Sequence, residues 1–226
     1  MNLIELTWSW LSDPEQWSGS AGIPMRILEH LEYSGLTMLI AVVLAVPLGA
    51  AIGHTGRGAA AVIGAAGALR ALPTLGLLTL FSLLMGLGLV PPLLALVILA
   101  VPPILSAACV GVAEVSPRVR DAVIAQGMTP WQVLTRVELP LAVPVIMGGV
   151  RNAALQVIST TTVAAYINLG GLGRYLIDGL AVRDYGRMLG SVLLVAVLAL
   201  LVDALLSLLQ RGLTSPGIRR PAGGTP

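Results

Sequence analysis

Lysine is absent from this chain of 226 residues, whose 13 basic residues are all arginine. A phosphate-binding loop of the G-x-x-x-x-G-K-[ST] type needs a lysine, so nucleotide hydrolysis of that kind belongs to another polypeptide. Schiff-base and Ser-Lys catalysis are excluded for the same reason. The two histidines, His30 and His54, lie at opposite ends of one apolar segment and cannot share a metal ion, so we expect solvated interfacial positions for both. These absences disfavour an enzyme and predict no metal site.

Cysteine and charge are also scarce. The single cysteine, Cys109, lies in an apolar run and can form no intrachain disulfide, so we expect a small buried apolar residue there. Charged residues make up 11% of the chain, against about 25% in soluble globular domains. With 56% hydrophobic residues and a mean hydropathy of +0.91, the sequence predicts an integral membrane protein. Its small net charge of +2 gives no support for nucleic-acid binding.

Apolar segments long enough to cross the hydrocarbon core, which takes about 20 residues, occur at residues 34–54, 59–87, 92–112, 139–165 and 187–210. Residues 1–33 are predicted to form an extracytoplasmic interfacial segment with several tryptophans. Residues 211–226 are predicted to form a flexible cytoplasmic tail. Arginine is more frequent on the side of the 113–138 connection, which predicts an N-terminus outside and a C-terminus inside.

A polar interlude at residues 116–140 interrupts the apolar middle of the chain. Ser116 and Pro117 are typical of the N-cap and first position of a helix, and Asp121 lies near the positive end of its dipole. Gly127 is expected to end this helix, because glycine readily adopts the left-handed conformation of a C-cap. The first half of the interlude is therefore predicted to be a short helix that ends at a glycine elbow.

The second half is predicted to form another short helix. Thr129 and Pro130 repeat the combination of a capping residue and a proline, and the helix would run from Trp131 to Val137 and end before Pro140. Two short helices joined at a glycine would make a compact knob, a shape suited to contact with something outside the membrane. An ordinary connecting loop is the alternative.

The residue order of this interlude resembles the cytoplasmic EAA loop of ABC importer permeases. That loop has an acid followed by small residues, a glycine six positions after the acid and an aliphatic-x-Leu-Pro ending; the matching residues are Asp121, Ala122, Gly127, Met128, Thr129, Val137, Leu139 and Pro140. Asp121 in place of Glu and Val123 in place of Ala depart from the pattern. The resemblance implies an all-α, five-span type I importer (MetI-like) permease fold that couples to an ATPase through residues 116–140.

Motifs on both sides of the loop are similar to those of osmoprotectant permeases: Arg70-Ala-Leu-Pro-Thr-Leu, Pro102-Pro-Ile-Leu, Gly149-Val-Arg-Asn-Ala and Gly170-Gly-Leu-Gly. The similarity implies glycine betaine, choline or carnitine as solute. Another small solute, such as an amino acid, methionine or an ergothioneine-like compound, is the alternative. A secondary transporter is less favoured, because no second acid lies in a span to relay a proton from Asp203, which we expect to pair near the inner boundary, close to Arg211.

The resemblance also implies partners. Two cytoplasmic ATPase subunits, which carry the ATP and Mg²⁺, would bind the loop, so this chain itself needs no cofactor. A second permease chain, identical or paralogous, would complete the pathway through a multi-pass assembly in the lipid bilayer of the bacterial inner membrane, with faces around Gly64-Gly67 and Gly148-Gly149 as candidate contacts. An extracytoplasmic binding protein would provide high-affinity recognition, because the few aromatic residues cannot form a cage for a quaternary ammonium group within one span.

Polar residues within the spans are candidates for the translocation path, because intramembrane charge faces protein or water rather than lipid. The candidates are Arg70, Pro73, Arg151, Asn152, Ser159, Thr160 and Thr161. A structural clamp between helices is an equal alternative for Arg151, and the hydroxyls could instead bond back to carbonyls of their own helix. A glycine-rich turn predicted on the outer side is a candidate contact for the binding protein; it contains Gly170, Gly171 and Gly173.

Overall fold

Helices make up nearly the whole molecule, a computed structural model that describes residues 2–167 and 169–214, apart from the side chain of Arg70. The α-helices of this described part are α1 (Leu3–Ser12), α2 (Ile23–Thr55), α3 (Ala59–Arg70), α4 (Thr74–Met85), α5 (Val90–Ala113), α6 (Pro117–Ala125), α7 (Pro130–Val133), α8 (Leu139–Ala164), α9 (Gly173–Val182) and α10 (Tyr185–Leu213). Pro14–Trp17 and Ala165–Ile167 form 3₁₀ turns, and Leu134–Glu138 forms a π-helical turn. The all-helical prediction is confirmed. Most of the predicted tail, from residue 215 onward, lies outside the described residues.

Four helical segments of the described chain are long and apolar enough to cross a membrane, or five if one bent pair counts as a span. The first of them, α2, begins at Ile23 rather than at residue 34, so part of the predicted interfacial segment belongs to the helix. Gly22 occupies the N-cap with an extended conformation, and Pro24 lies in the first turn, where a missing N–H costs nothing. Local start signals therefore place the beginning of this span.

The segment 59–87, predicted as one span, is divided between α3 and α4, which are bent by 85° relative to each other. Pro73 lies between them in an extended conformation, with ψ of 115°, because proline lacks an N–H and its ring clashes with the preceding helical turn. Each half has 12 residues, or about 18 Å of helix, which is short of the ~30 Å hydrocarbon core. Neither half crosses the membrane alone.

The core of the molecule is a packed group of α2, α5 and α8, lined largely by alanine and valine. Gly49 and Gly53 of α2 allow this contact: a Cβ added at Gly49 would lie 2.5 Å from the carbonyl oxygen of Leu105 on α5. Gly149 of α8 lies as closely against Ala107 of α5. Small residues permit close helix approach in membranes, where dispersion forces rather than hydrophobic burial drive association.

The N-terminal helix α1 packs along α10 at one end of the bundle. Trp10 meets Tyr175 of α9 edge to face, with ring centroids 5.1 Å apart. The Tyr175 phenol donates a hydrogen bond to the carbonyl oxygen of Ala21 at 2.5 Å, and burial raises the pKa of this phenol, which keeps its donor proton in place. These contacts fix α1 and α9 against the long helices.

Candidate functional site

The elbow predicted in the polar interlude is present. Helix α6 ends at Ala125 with Gln126 as its C-cap, and Gly127 follows with φ of 86°, in the left-handed region. The N–H of Gly127 donates to the carbonyl oxygen of Ile124 at 2.9 Å, and that of Met128 donates to Val123 at 3.2 Å. Among the described residues, its chain neighbours apart, no atom lies within 4 Å of a Cβ added at Gly127, so the backbone conformation rather than space favours glycine here.

The second short helix also begins where predicted. Thr129 caps α7 in a capping box with Gln132: the Gln132 N–H donates to Thr129 Oγ1 at 3.4 Å, and the Thr129 N–H donates to Gln132 Oε1 at 2.9 Å. The predicted end before Pro140 is wrong. α7 continues through the π-helical turn into α8, because Pro140 falls in the first turn of α8, where the helix tolerates proline. The helical segment is continuous from Pro130 to Ile167, a length of 38 residues.

The α6–α7 knob, residues 117–133, presents apolar side chains to its surroundings. Trp131 is 71% exposed and Ile124 is 53% exposed, and Val119 is also exposed. The motif residues Asp121, Ala122, Gly127, Thr129 and Pro140 are exposed, and Met128, Val137 and Leu139 are half-buried. Exposed apolar groups on an otherwise polar loop are typical of a protein contact surface.

A buried charged cluster that sequence reasoning missed lies at the base of the knob. Glu138 is fully buried, although it lies in the polar interlude. His54 Nδ1 donates to Glu138 Oε2 at 2.5 Å, and Arg120 Nε lies 2.6 Å from Glu138 Oε1. His54 is therefore half-buried and hydrogen-bonded rather than fully solvated, since a buried carboxylate needs partners and takes this imidazole as one. The partners are separated by 84 residues, so no local pattern signals the contact.

Arg151 of α8 has both a partner and a fixed geometry. Its Nε and Nη2 each donate to the Asp203 carboxylate of α10 at 2.8 Å, and Nη1 donates to Gln210 Oε1 at 3.3 Å. Gln210 in turn donates to the carbonyl oxygen of Pro144 at 3.2 Å. Asp203 thus has Arg151 as its partner. The pair joins α8 to α10 and is still partly exposed, at 32% and 27% of the two side chains.

The other pathway candidates differ in their surroundings. Asn152 is exposed beside Arg151. Ser159 donates to the carbonyl oxygen of Leu155 at 3.0 Å, and buried Thr161 donates to that of Val157 at 2.8 Å; both therefore bond back to their own helix. Thr160 is half-buried, and Pro73 is exposed at the α3–α4 bend. The Arg70 prediction concerns a side chain outside the described part of the structure.

The glycine-rich turn lies against α2 and α8. The Gly171 N–H donates to Glu29 Oε2 at 2.7 Å, with φ of 79° at Gly171. A Cβ added at Gly170 would meet the Glu29 carboxylate, and one at Gly173 would meet the Thr162 backbone. Gly171 and Gly173 are buried, so close packing accounts for these two glycines.

His30, in α2 beside this turn, is fully buried rather than solvated as predicted. Its Nε2 donates to the carbonyl oxygen of Ile158 on α8 at 3.0 Å. The imidazole therefore fills a packed position between α2 and α8. The position of this histidine was predicted wrongly because its partner is 128 residues away in sequence.

Comparison with known proteins identifies the class. Residues 41–215 match the family described as the inner membrane component of binding-protein-dependent transport systems, and the chain belongs to that family. It is a permease subunit of an ABC importer, a multi-pass inner-membrane transport component that works with a binding protein.

Several similar proteins are named as permeases for osmoprotectants. The chain is 36% identical over 191 residues to the glycine betaine/carnitine/choline transport system permease protein OpuCB of Bacillus subtilis, and the match covers 84% of this chain and 88% of that protein. It is 36% identical over 196 residues to the osmoprotectant import permease protein OsmW of Salmonella typhimurium, covering 84% and 91%. A structure of the MetNI methionine ABC transporter in an inward-facing conformation is similar in fold, with a TM-score of 0.75, 20% identity and coverage of 90% and 100%.

Proposed function

We propose that this chain is the permease subunit of an ATP-driven importer of osmoprotectants such as glycine betaine, choline or carnitine. The observation that carries the proposal is the similarity, at about a third of positions and over more than four fifths of the chain, to permeases named for these solutes. Methionine, the solute for which the structurally similar MetNI transporter is named, has weaker support because that likeness is at 20% identity and concerns the fold.

Two ATPase subunits, holding ATP and Mg²⁺, bind the α6–α7 knob in this proposal. The knob is compact, is fixed by the Gly127 elbow and the Thr129 capping box, and has Ile124 and Trp131 exposed for contact. Aromatic residues are favoured anchors of protein interfaces, where they fill well-packed pockets on the partner. The knob would lie on the cytoplasmic side, as the arginine distribution predicts.

A second permease chain, identical or paralogous, covers part of the remaining surface. In the part of the chain that the structure describes, a Cβ added at Gly64 or Gly67 on α3, or at Gly148 on α8, would have no atom of another element within 4 Å, so these faces are available for close helix contact. Gly149 is already used inside the chain against α5, which narrows the Gly148-Gly149 candidate to Gly148. Solute would pass between the two permeases.

Arg151 and Asp203 are candidate lining groups of that path. Their ion pair lies within two spans and is about a third exposed, and lipid is an unfavourable neighbour for such groups. The exposed amide of Asn152 and the half-buried hydroxyl of Thr160 extend the same candidate surface. Recognition of the solute at high affinity resides on the extracytoplasmic binding protein, with the membrane path giving weak and transient contacts.

Reconstitution tests the function. The chain is co-purified with its ATPase subunits, partner permease and binding protein, placed in proteoliposomes, and given labelled glycine betaine, choline and carnitine in turn. We expect uptake of at least one of them that depends on both ATP and the binding protein. Uptake of an amino acid in place of all three would refute the osmoprotectant assignment, and uptake unaffected by a catalytic substitution in the ATPase would indicate a secondary transporter.

A further inference from the structure

We propose that Arg120, Glu138 and His54 form a joint through which the α6–α7 knob and the membrane helices move as one. The inference rests on the proposed function, because it identifies the contacts that would transmit a conformational change of the ATPase to the membrane-spanning helices. The three side chains are positioning residues that make no contact with solute.

The distinguishing feature of this cluster is the burial of its carboxylate. Glu138 has no exposed surface, while the side chains of Arg120 and His54 are 27% and 21% exposed. A buried carboxylate is strongly destabilising unless charged or hydrogen-bonded groups compensate it. Arg120 Nε lies 2.6 Å from one oxygen, but its N–H is not aligned for a hydrogen bond, so this contact is ionic. The other oxygen accepts the hydrogen bond from His54.

The cluster joins elements that are distant in sequence. Arg120 lies on α6, within the knob, and His54 lies in the last turn of α2. Glu138 is the last residue of the π-helical turn and directly precedes α8. Arg120 Nη2 also donates to the carbonyl oxygen of Val112, near the end of α5, at 3.4 Å. One side chain of the knob therefore contacts groups at the ends of α5 and α8 and, through Glu138, is joined to the end of α2.

The π-helical turn gives Glu138 its position. A π turn holds an extra residue, which rotates the following residues by about 100° relative to a continuous α-helix. Such turns are frequent at functional sites. Val133, which directly precedes the turn, and Leu134 within it are buried, whereas Arg136 is exposed, so the turn directs one face inward and places the carboxylate between α2 and α6. The energy of the Arg120–Glu138 ion pair falls as the two groups separate, so this contact opposes a shift of the knob by itself.

Charge-removing variants test the joint, with ATP hydrolysis as the measurement. Glu138→Gln and Arg120→Gln are compared with Arg118→Gln, which removes an exposed arginine of the same helix for which the described residues show no ion pair. Each full complex is reconstituted, and hydrolysis is measured without and with the binding protein loaded with choline. We expect the stimulation to fall at least about tenfold in the first two variants, as for removal of one charge from a buried ion pair, and to persist in Arg118→Gln.

Arg120→Lys separates coupling from folding, because it keeps the charge but not the fork geometry. We expect it to regain part of the stimulation that Arg120→Gln loses, in complexes of equal subunit composition. Assembled Glu138→Gln and Arg120→Gln complexes with wild-type stimulation would overturn the proposal, and so would failure of both to assemble, which would make the cluster a folding element. If the binding protein stimulates ATP hydrolysis by the wild-type complex but choline is not taken up, the result would count against choline as the solute and would leave the proposed joint unaffected.

Discussion

The close contact of α2 with α5 gives a sharp prediction at Gly49. In Gly49→Ala, the new Cβ would lie 2.5 Å from the Leu105 carbonyl oxygen and 2.8 Å from the Ala108 Cβ. Carbon atoms in ordinary contact are about 3.5–4.0 Å apart, so the two helices must separate by about 1 Å at this level. The nearest atom belongs to the backbone, which cannot rotate away as a flexible side chain could.

The size of the effect follows from two opposing contributions. Overpacking of a filled core destabilises by about 1–3 kcal/mol, and contact with backbone favours the upper part of that range. Alanine is a better helix former than glycine by about 1 kcal/mol. We therefore expect Gly49→Ala to lower the free energy of unfolding by about 2 kcal/mol, since the steric contribution is larger.

Gly148→Ala is the matched control. It adds the same methyl group within a long helix, but its Cβ has no atom of another described element within 4 Å. Only the helix preference remains, so the free energy of unfolding should rise by about 0.5–1 kcal/mol. The two variants should then differ by about 3 kcal/mol in a denaturing-detergent titration of the isolated permease followed by helical circular dichroism. A Gly49→Ala protein as stable as the Gly148→Ala protein would refute the packing argument.

The remaining predictions concern the knob, the ion pair and the second permease. Gly127→Ala should reduce binding-protein-stimulated ATP hydrolysis, because a non-glycine residue in the left-handed region costs about 1–2 kcal/mol; Gly127→Asn should retain more of it, and equal loss in both would contradict the conformational reason. Arg151→Leu and Asp203→Leu should each lower the yield of assembled complex. The double variant should restore assembly and, if the pair lines the translocation path, should still lack uptake. Restored uptake would show that the pair acts only as a structural clamp between helices. Gly148→Leu should prevent pairing of permeases without unfolding the chain, and an unchanged complex mass would exclude that face.

The parts of the fold that were predicted from sequence depend on local interactions. Ser116 and Pro117 occupy the N-cap and first position of α6, Gly127 has the left-handed conformation, and Thr129 forms a cap with a residue three positions later. Each signal acts within one helical turn and needs no knowledge of the rest of the molecule. Long apolar runs likewise predict spans because the bilayer thickness fixes their length.

The parts that were not predicted depend on distant partners. Glu138 meets His54 across 84 residues, and Arg151 meets Asp203 across 52. Both pairings are set by how α2, α8 and α10 pack, which amphipathic pattern and charge do not specify. The prediction at Pro140 was wrong for a different reason: a proline in the first turn of a helix does not interrupt it, and only the π-helical turn before it shows that α7 and α8 are continuous.

Cross-linking from the knob tests the central claim, that this surface binds the ATPase. The single cysteine, Cys109, is buried, so Cys109→Ala gives a background in which Ile124→Cys and, as control, Val182→Cys on α9 carry a thiol photo-cross-linker. Both positions are exposed, at 53% and 72%. In the assembled complex, we predict an ATPase adduct from position 124 and none from position 182. An ATPase adduct from position 182 and none from position 124 would contradict the assignment of the knob as the coupling surface.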